Sequence, residues 1–206
     1  MDSPLSALVS ELGTSKAAAR IRAAAVEMFA TQGYSSTTTR QIAASLDLSP
    51  GAVYPHYKTK ESLLYATSLE GHHAVLTALF DADDESAPAS QRLAATVTAF
   101  VTWHADHSAA ARVAQYELRS LSPEHYEIIA DVRRATSRVF HRIIDAGTAA
   151  GEFHPVDVGA AVLAITSLGV DVSRWFPSHA YSDADALAAI YVELVRGMVR
   201  ASPVDD

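Results

Sequence analysis

Apolar positions recur at helical spacing along most of the chain, and no run of alternating β-branched residues is bounded like a strand. Ile21, Ala25, Met28 and Phe29 fall at the i, i+4, i+7, i+8 spacing of one buried face. They predict a helix from about Ser15 to Gln32, ended by Gly33 in a left-handed conformation. Thr38 and Gln41 have the spacing of a capping box, and Ile42, Ala43 and Leu46 form the apolar face behind it. Asp47 breaks that short helix. Ser49-Pro50 then starts another, with a capping residue and a proline at the first position. Thr59 is placed to cap a longer helix reaching about Phe80, in which Leu63, Leu64, Leu69, Val75, Leu76 and Leu79 are apolar and Glu61 sits in the first turn. Residues 81–90, D-A-D-D-E-S-A-P-A-S, carry no periodicity and predict a solvated loop. Further helices are expected at about 90–105, 108–120, 123–150, 156–176 and 183–201, and residues 1–13 are expected to be a poorly ordered arm. The expected fold class is all-α.

Composition narrows the picture. In 206 residues, 49% are apolar, enough for a sizeable core, and the absence of cysteine excludes disulfides and thiolate metal sites. No signal peptide and no stretch able to span a bilayer is expected, which makes a soluble cytoplasmic protein the default. The net charge of −8 argues at first against a nucleic-acid partner, but its distribution reverses that. Residues 1–60 hold Lys16, Arg20, Arg22, Arg40, Lys58 and Lys60 against Asp2, Glu11, Glu27 and Asp47, so +6 − 4 = +2, and the remainder carries −8 − 2 = −10. Phosphate affinity follows the local face, not the sum.

Two short helices about a tight turn, the second carrying Tyr54 and His56, make a helix-turn-helix pattern. The runs A-A-A-V-E-M-F-A-T-Q-G-Y-S-S-T-T-T-R-Q-I-A and L-S-P-G-A-V-Y-P-H-Y-K-T-K-E-S-L-L, within residues 15–70, resemble the TetR family of one-component bacterial repressors. The resemblance implies an N-terminal head of three helices, residues 1–60, that binds DNA. It also implies a larger helical body, residues 61–206, that binds a ligand and dimerises. Carried over by position, it implies that Thr39 and Arg40 meet a phosphate and a base edge, Arg40 by bidentate contact with guanine. Gly51 and Ala52 would admit the backbone to the groove, Tyr54 and His56 would bond phosphates and touch bases, and Ser49 and Lys60 would bind phosphate. Tyr57 is expected to pack beneath the reading helix. Three positions depart from the family's pattern: Asp47 where glycine is common, Ala52 where threonine is common, and Pro55 where an aromatic is frequent. Pro55 lacks a donor and disfavours helical geometry at Tyr54, so the reading helix should end early.

For the body, the resemblance implies a ligand-responsive homodimer that leaves a palindromic operator when a small apolar effector binds. Candidates for the ligand lining are Phe100, Trp103, His104, Tyr116, Phe140, Leu168, Val172 and Trp175, which mix apolar surface with polar handles. The segments from Gly151 to Phe176 and from Ser182 to Leu194 loosely resemble members that answer to acyl-coenzyme A thioesters. On that reading Arg174, or Arg133 and Arg134, would pair with nucleotide phosphates. The last two helices carry small residues (Ala160, Ala161, Ala164, Gly169) and an apolar stripe (Leu187, Ile190, Tyr191, Leu194, Val195, Met198). These suit either the chain's own core or a four-helix bundle with a second copy. His104 and His107 share a helix face, but no histidine–carboxylate set accompanies them; neither a metal nor a cofactor is expected. An enzyme is disfavoured because no glycine-rich phosphate loop, nucleophile elbow or H-E-x-x-H pair is present. A helical interaction protein whose helix-turn-helix serves only packing is the remaining alternative.

Overall fold

In the computed structural model, residues 15–199 are described. They form eight α-helices and two 3-10 turns, and no strand occurs among the described residues. The helices are α1 Lys16–Gln32, α2 Thr39–Ser45, α3 Lys60–Ala82, α4 Ala89–Asp106, α5 Ser108–Tyr116, α6 Pro123–Ala149, α7 Val158–Trp175 and α8 Ala184–Val199. The 3-10 turns are Pro50–Val53 and Leu118–Ser120. The expected arm at 1–13 lies outside the described residues.

Side-chain caps set most of the helix starts. Ser15 accepts the Ala18 N–H to open α1, Asp157 accepts the Ala160 N–H to open α7, and Asp183 accepts the Asp185 and Ala186 N–H groups at the head of α8. At α3, Thr59 and Ser62 cap each other reciprocally: Ser62 N–H donates to Thr59 Oγ1 at 2.9 Å and Thr59 N–H donates to Ser62 Oγ at 3.1 Å. Pro88 precedes α4 and has no side chain to offer, so Glu152 takes that role across the sequence. Its two carboxylate oxygens accept the Ala89 and Ser90 N–H groups at 3.0 and 2.9 Å, and these bonds to the charged form hold its pKa below the usual carboxylate range.

The chain forms two compact units. One comprises the residues up to Ala74 with Ala109–Val132; the other comprises Val75–Ser108 with the residues from Arg133 onward. The boundary expected at 60/61 does not coincide with this division, because α3 and α6 each contribute to both units. In the first unit Ile21, Ala25, Phe29, Ile42, Val53, Leu63 and Leu64 are buried. In the second, Phe100 packs edge-on against Phe140 at 5.5 Å between ring centres, and its ring fills the notch left by Gly169 of α7. A side chain at Gly169 would collide with that ring.

Two expectations about this second unit change. The loop is shorter than residues 81–90, with Asp84, Glu85, Ser86 and Pro88 exposed as expected, but the Asp83 side chain is buried in a two-point contact with Arg92, at 2.7 and 3.0 Å, so that acid is neutralised where the chain turns. One helix among the described residues, Val158–Trp175, is long and apolar enough by composition to cross a membrane, contrary to the expectation that none is. It reads here as a core helix with an uncovered apolar side: Val162, Ile165 and Val172 are buried, while Leu163 remains 67% exposed.

Candidate nucleic-acid interface

The helix α2 and the 3-10 turn after it are shaped by local bonds. Thr38 and Gln41 form the expected capping box, Gln41 N–H to Thr38 Oγ1 at 3.2 Å and Thr38 N–H to Gln41 Oε1 at 2.8 Å. Thr39 and Arg40 therefore occupy the first turn of α2, Thr39 half-buried and Arg40 exposed. Thr37 is buried, its hydroxyl donating to Gly33 O at 2.9 Å, which closes the loop between α1 and α2. After α2 the chain reverses at Asp47, which has φ 57°, while Leu48 N–H returns to Ala43 O at 2.9 Å. Asp47 thus supplies the left-handed residue that glycine would provide, at the steric cost a side chain carries there.

The second short helix is a 3-10 turn, Pro50–Val53. Ser49 stands at its cap position with extended backbone, but its side chain makes no capping bond, so the expected capping role is not present. Tyr54 keeps right-handed helical dihedrals, φ −62° and ψ −31°, against the expectation placed on Pro55. The reason is in the bonding. Tyr54 N–H donates to Gly51 O, while His56 and Tyr57 N–H both donate to Val53 O at 3.0 and 2.9 Å. Pro55 has no N–H to offer, and the bonds on either side of it close without one. As expected, the element is short.

Ser49, Gly51, Tyr54 and His56 are exposed and Ala52 is half-buried. A Cβ added at Gly51 would meet nothing within 4 Å. Its lack of a side chain is therefore not a requirement of the chain's own packing.

Lys60 is placed differently from the other candidates. Its ammonium donates to Tyr34 O at 2.9 Å and Thr37 O at 3.0 Å and stands 4.1 Å from the centre of the Tyr34 ring. Two of its three donors are spent on closing the loop between α1 and α2, which leaves one for any phosphate. The loop is also held from the far side of the unit, where Glu117 accepts the Tyr34 N–H at 3.4 Å. Glu61 accepts both the Ser122 N–H at 2.9 Å and a ring N–H from His125 at 2.8 Å, and His125 lies flat on Tyr65 at 3.8 Å. Sequence reasoning missed these ties, since their partners are 61 to 83 residues apart.

In the second unit, four of the proposed ligand-lining residues come together. Phe100 touches both Phe140 and His104, and Trp103 touches His104 edge-on at 5.3 Å. His104 is buried, and its Nδ1–H donates to Phe100 O at 2.7 Å. Burial, aided by nearby His107, lowers its pKa to about 4 although the carbonyl bond opposes this, so the ring is neutral near pH 7. Val172 is buried in the same unit. The other three lie elsewhere: Trp175 packs with Phe176 and Tyr181, while Leu168 is 40% and Tyr116 54% exposed. Arg174 is held by Asp171 at 2.7 and 2.8 Å. No group of three histidine or acidic residues placed to hold a metal ion occurs among the described residues.

Among the proposed dimer contacts, Leu187, Val195 and Ala161 face the chain's own core, because they occupy the inner side of their helices. Ile190 and Leu194 are 44% and 52% exposed, and Ala164, Tyr191 and Met198 are half-buried.

Two family models match the chain. "Bacterial regulatory proteins, tetR family" covers residues 21–67, and "Tetracyclin repressor-like, C-terminal domain" covers residues 86–199, more than half of the sequence. The chain belongs to the TetR family. The fold agrees: a bacterial regulatory protein in the tetR family from Rhodococcus RHA1 has 70% sequence identity, spans 92% of this chain and 100% of its own, and superposes with a TM-score of 0.90. The fatty acid metabolism regulator protein of Bacillus subtilis (strain 168) is 25% identical over 174 residues, 84% of this chain and 90% of that protein. The transcriptional regulator FadR of Bacillus subtilis, solved in complex with stearoyl-CoA, is 25% identical, covers 88% of this chain and 99% of its own, and gives a TM-score of 0.72. This TetR-family chain is accordingly a transcriptional regulator with a helix-turn-helix head and a helical body, not an enzyme.

Proposed function

We propose that this TetR-family regulator is a homodimeric, cytoplasmic repressor that binds a palindromic operator and is released by a small apolar effector, an acyl-coenzyme A thioester. The observation that carries the DNA half is the exposure of Arg40, Ser49, Tyr54 and His56 along the helix-turn-helix, together with the open backbone of Gly51. A glycine that the fold does not need, on an exposed surface turn, supports close approach by an outside partner. In this reading Arg40 takes a guanine edge, Thr39, Ser49, Tyr54 and His56 contact backbone and neighbouring bases, Ala52 leaves room, and Lys60 offers its third donor to a phosphate.

The homodimer reading rests on α7 and α8. Leu163, Leu168, Ile190 and Leu194 are exposed, and Gly197, also exposed, would accept a Cβ without contact. Glycine inside a helix costs about 1 kcal/mol against alanine, so an uncrowded one on an apolar face supports close packing by a second copy. Ala164, Tyr191 and Met198 border that face. The effector reading rests on the Phe100–Trp103–His104–Phe140 cluster and on the relative solved with stearoyl-CoA.

The test is a gel shift on DNA upstream of the protein's own gene, at physiological salt, against random DNA of equal length. A preference on the order of 10³ or more, abolished by stearoyl-coenzyme A but not by coenzyme A alone, is the expected result. Equal affinity for both DNAs overturns the operator reading. Operator binding unmoved by acyl-coenzyme A species overturns the effector reading and leaves the operator reading standing.

A further inference from the structure

Arg22 is a cation buried inside the first unit, and its whole fork is engaged. Nε and Nη2 donate to the two carboxylate oxygens of Glu70, at 2.8 and 3.1 Å, and Nη1 donates to the Tyr57 hydroxyl at 2.7 Å. Tyr57 is itself buried, and its hydroxyl reaches Ala18 O at 3.4 Å. Burial raises the Tyr57 pKa despite the guanidinium beside it, so the phenol stays protonated and donates. One guanidinium thus joins three elements: α1, from which it comes; the end of the reading turn, through Tyr57; and α3, ten residues beyond its start at Lys60, or about 15 Å along the helix.

The geometry matters because of where Tyr57 stands. It is the residue immediately after the Pro50–His56 turn, and its N–H shares the Val53 carbonyl with that of His56. A displacement of Tyr57 that moves its backbone is therefore passed to His56 and Tyr54, one and three residues away, through the chain and that shared carbonyl. Arg22 holds that ring by its hydroxyl end, and the bidentate contact with Glu70 fixes the guanidinium plane, which a lysine could not do.

We propose that Arg22, through its bonds to Glu70 and Tyr57, is a positioning residue for DNA reading, setting the angle of the reading turn relative to α3. It does not touch DNA. The inference rests on the reading of this unit as a DNA-binding head and adds to it the residue that decides base discrimination indirectly. Loss of the clamp leaves the exposed phosphate-binding groups in place, so binding to random DNA persists. Contacts to base edges, which tolerate little angular error, are the ones that fail.

The experiment uses full-length Tyr57→Phe and Glu70→Gln. The first keeps the ring and loses only the hydroxyl; the second keeps the shape and removes the charge. Each is measured for operator affinity, random-DNA affinity and melting temperature. Expected is a loss of about tenfold in operator affinity, with random-DNA affinity and the salt dependence unchanged, so the ratio of the two falls. Arg22→Met should lower that ratio further. The proposal is overturned if both mild variants discriminate as the parent protein does, or if operator and random-DNA affinity fall in equal proportion, as simple loss of folded protein would produce. A parent protein with no sequence preference removes the DNA reading itself, and the positioning role with it.

Discussion

Lowering the pH should weaken this fold through one residue, His104. Its ring is buried against Phe100 and Trp103, and its folded pKa is lowered to about 4 against 6.5 for an ordinary histidine. The folded state therefore resists a proton that the unfolded chain accepts. Above pH 6.5 neither state is protonated and nothing changes; between 6.5 and about 4 only the unfolded chain gains the proton, and stability falls as pH falls. At a little over 1 kcal/mol per pK unit, this group removes on the order of 1 kcal/mol by pH 5.5 and more by pH 4.5. Its full effect below pH 4 is about 3 kcal/mol. Other groups titrate over the same range, so the measurement is a difference. His104→Asn keeps an N–H able to reach Phe100 O and removes the titration. Urea unfolding of both proteins from pH 7.5 to 4.5 should show the parent losing stability faster, by the amounts above. A gap between the two curves that is constant with pH would refute the burial argument. A gap that changes in the opposite direction would mean that the protonated ring finds a partner in the fold.

Asp47→Gly should raise stability by about 0.5–1 kcal/mol, because the residue sits at φ 57°; chemical denaturation checks it, and a loss would mean the side chain makes a compensating bond. Gly169→Ala should cost about 1–3 kcal/mol, read as a lower melting temperature, since the added methyl collides with Phe100. Leu194→Glu combined with Leu163→Glu should convert a dimer to a monomer on sizing with light scattering, as both side chains are exposed and leave the core intact; an unchanged mass would move the interface elsewhere. Lys60→Met should cost about 1–3 kcal/mol of stability, since its ammonium holds two carbonyls, and its effect on DNA should be smaller than that of Arg40→Ala, whose operator loss should be about 1–3 kcal/mol.

What could be read from the sequence depends on how far apart the partners lie. The capping box of Thr38 and Gln41 and the break at Asp47 each involve residues at most three apart, and each is present as expected. The order of helices follows from the same local signals, and the largest misreading, helix 108–120, is a short helix continued as a 3-10 turn. The bonds from Lys60 to Tyr34 O and Thr37 O leave no local signal because those acceptors are 26 and 23 residues away. Arg22, which the charge pattern registers only as one of six cations, finds Glu70 at a separation of 48. The α8 stripe shows a third reason. Leu187, Ile190, Tyr191, Leu194, Val195 and Met198 all lie within one broad apolar arc, and periodicity gives the width of that arc without its split between core and surface. Only the neighbouring helices decide that Leu187 and Val195 turn inward while Ile190 and Leu194 stay outside.

The long-range ties of the first unit share a direction that bears on what the head is. Arg22 and Tyr57 lead from α1 and the reading turn to Glu70; Tyr34 leads from the α1–α2 loop to Lys60 and Glu117; Glu61, one residue past Lys60, leads to Ser122 and His125. Each begins beside the reading elements and ends on α3 or on the segment around α5 and the start of α6. A three-helix head of 60 residues buries little surface and is marginal on its own. Here the compact unit is larger, because it includes α3 to Ala74 and Ala109–Val132. The charged ends of these ties are also what make them directional. A guanidinium, an ammonium and three carboxylates hold defined geometries through hydrogen bonds, whereas apolar contacts alone would allow the head to slide. These bonds tie the reading elements to α3 and to residues 109–132, so a shift of either segment is carried to the reading turn through fixed hydrogen bonds and not through sliding apolar contacts.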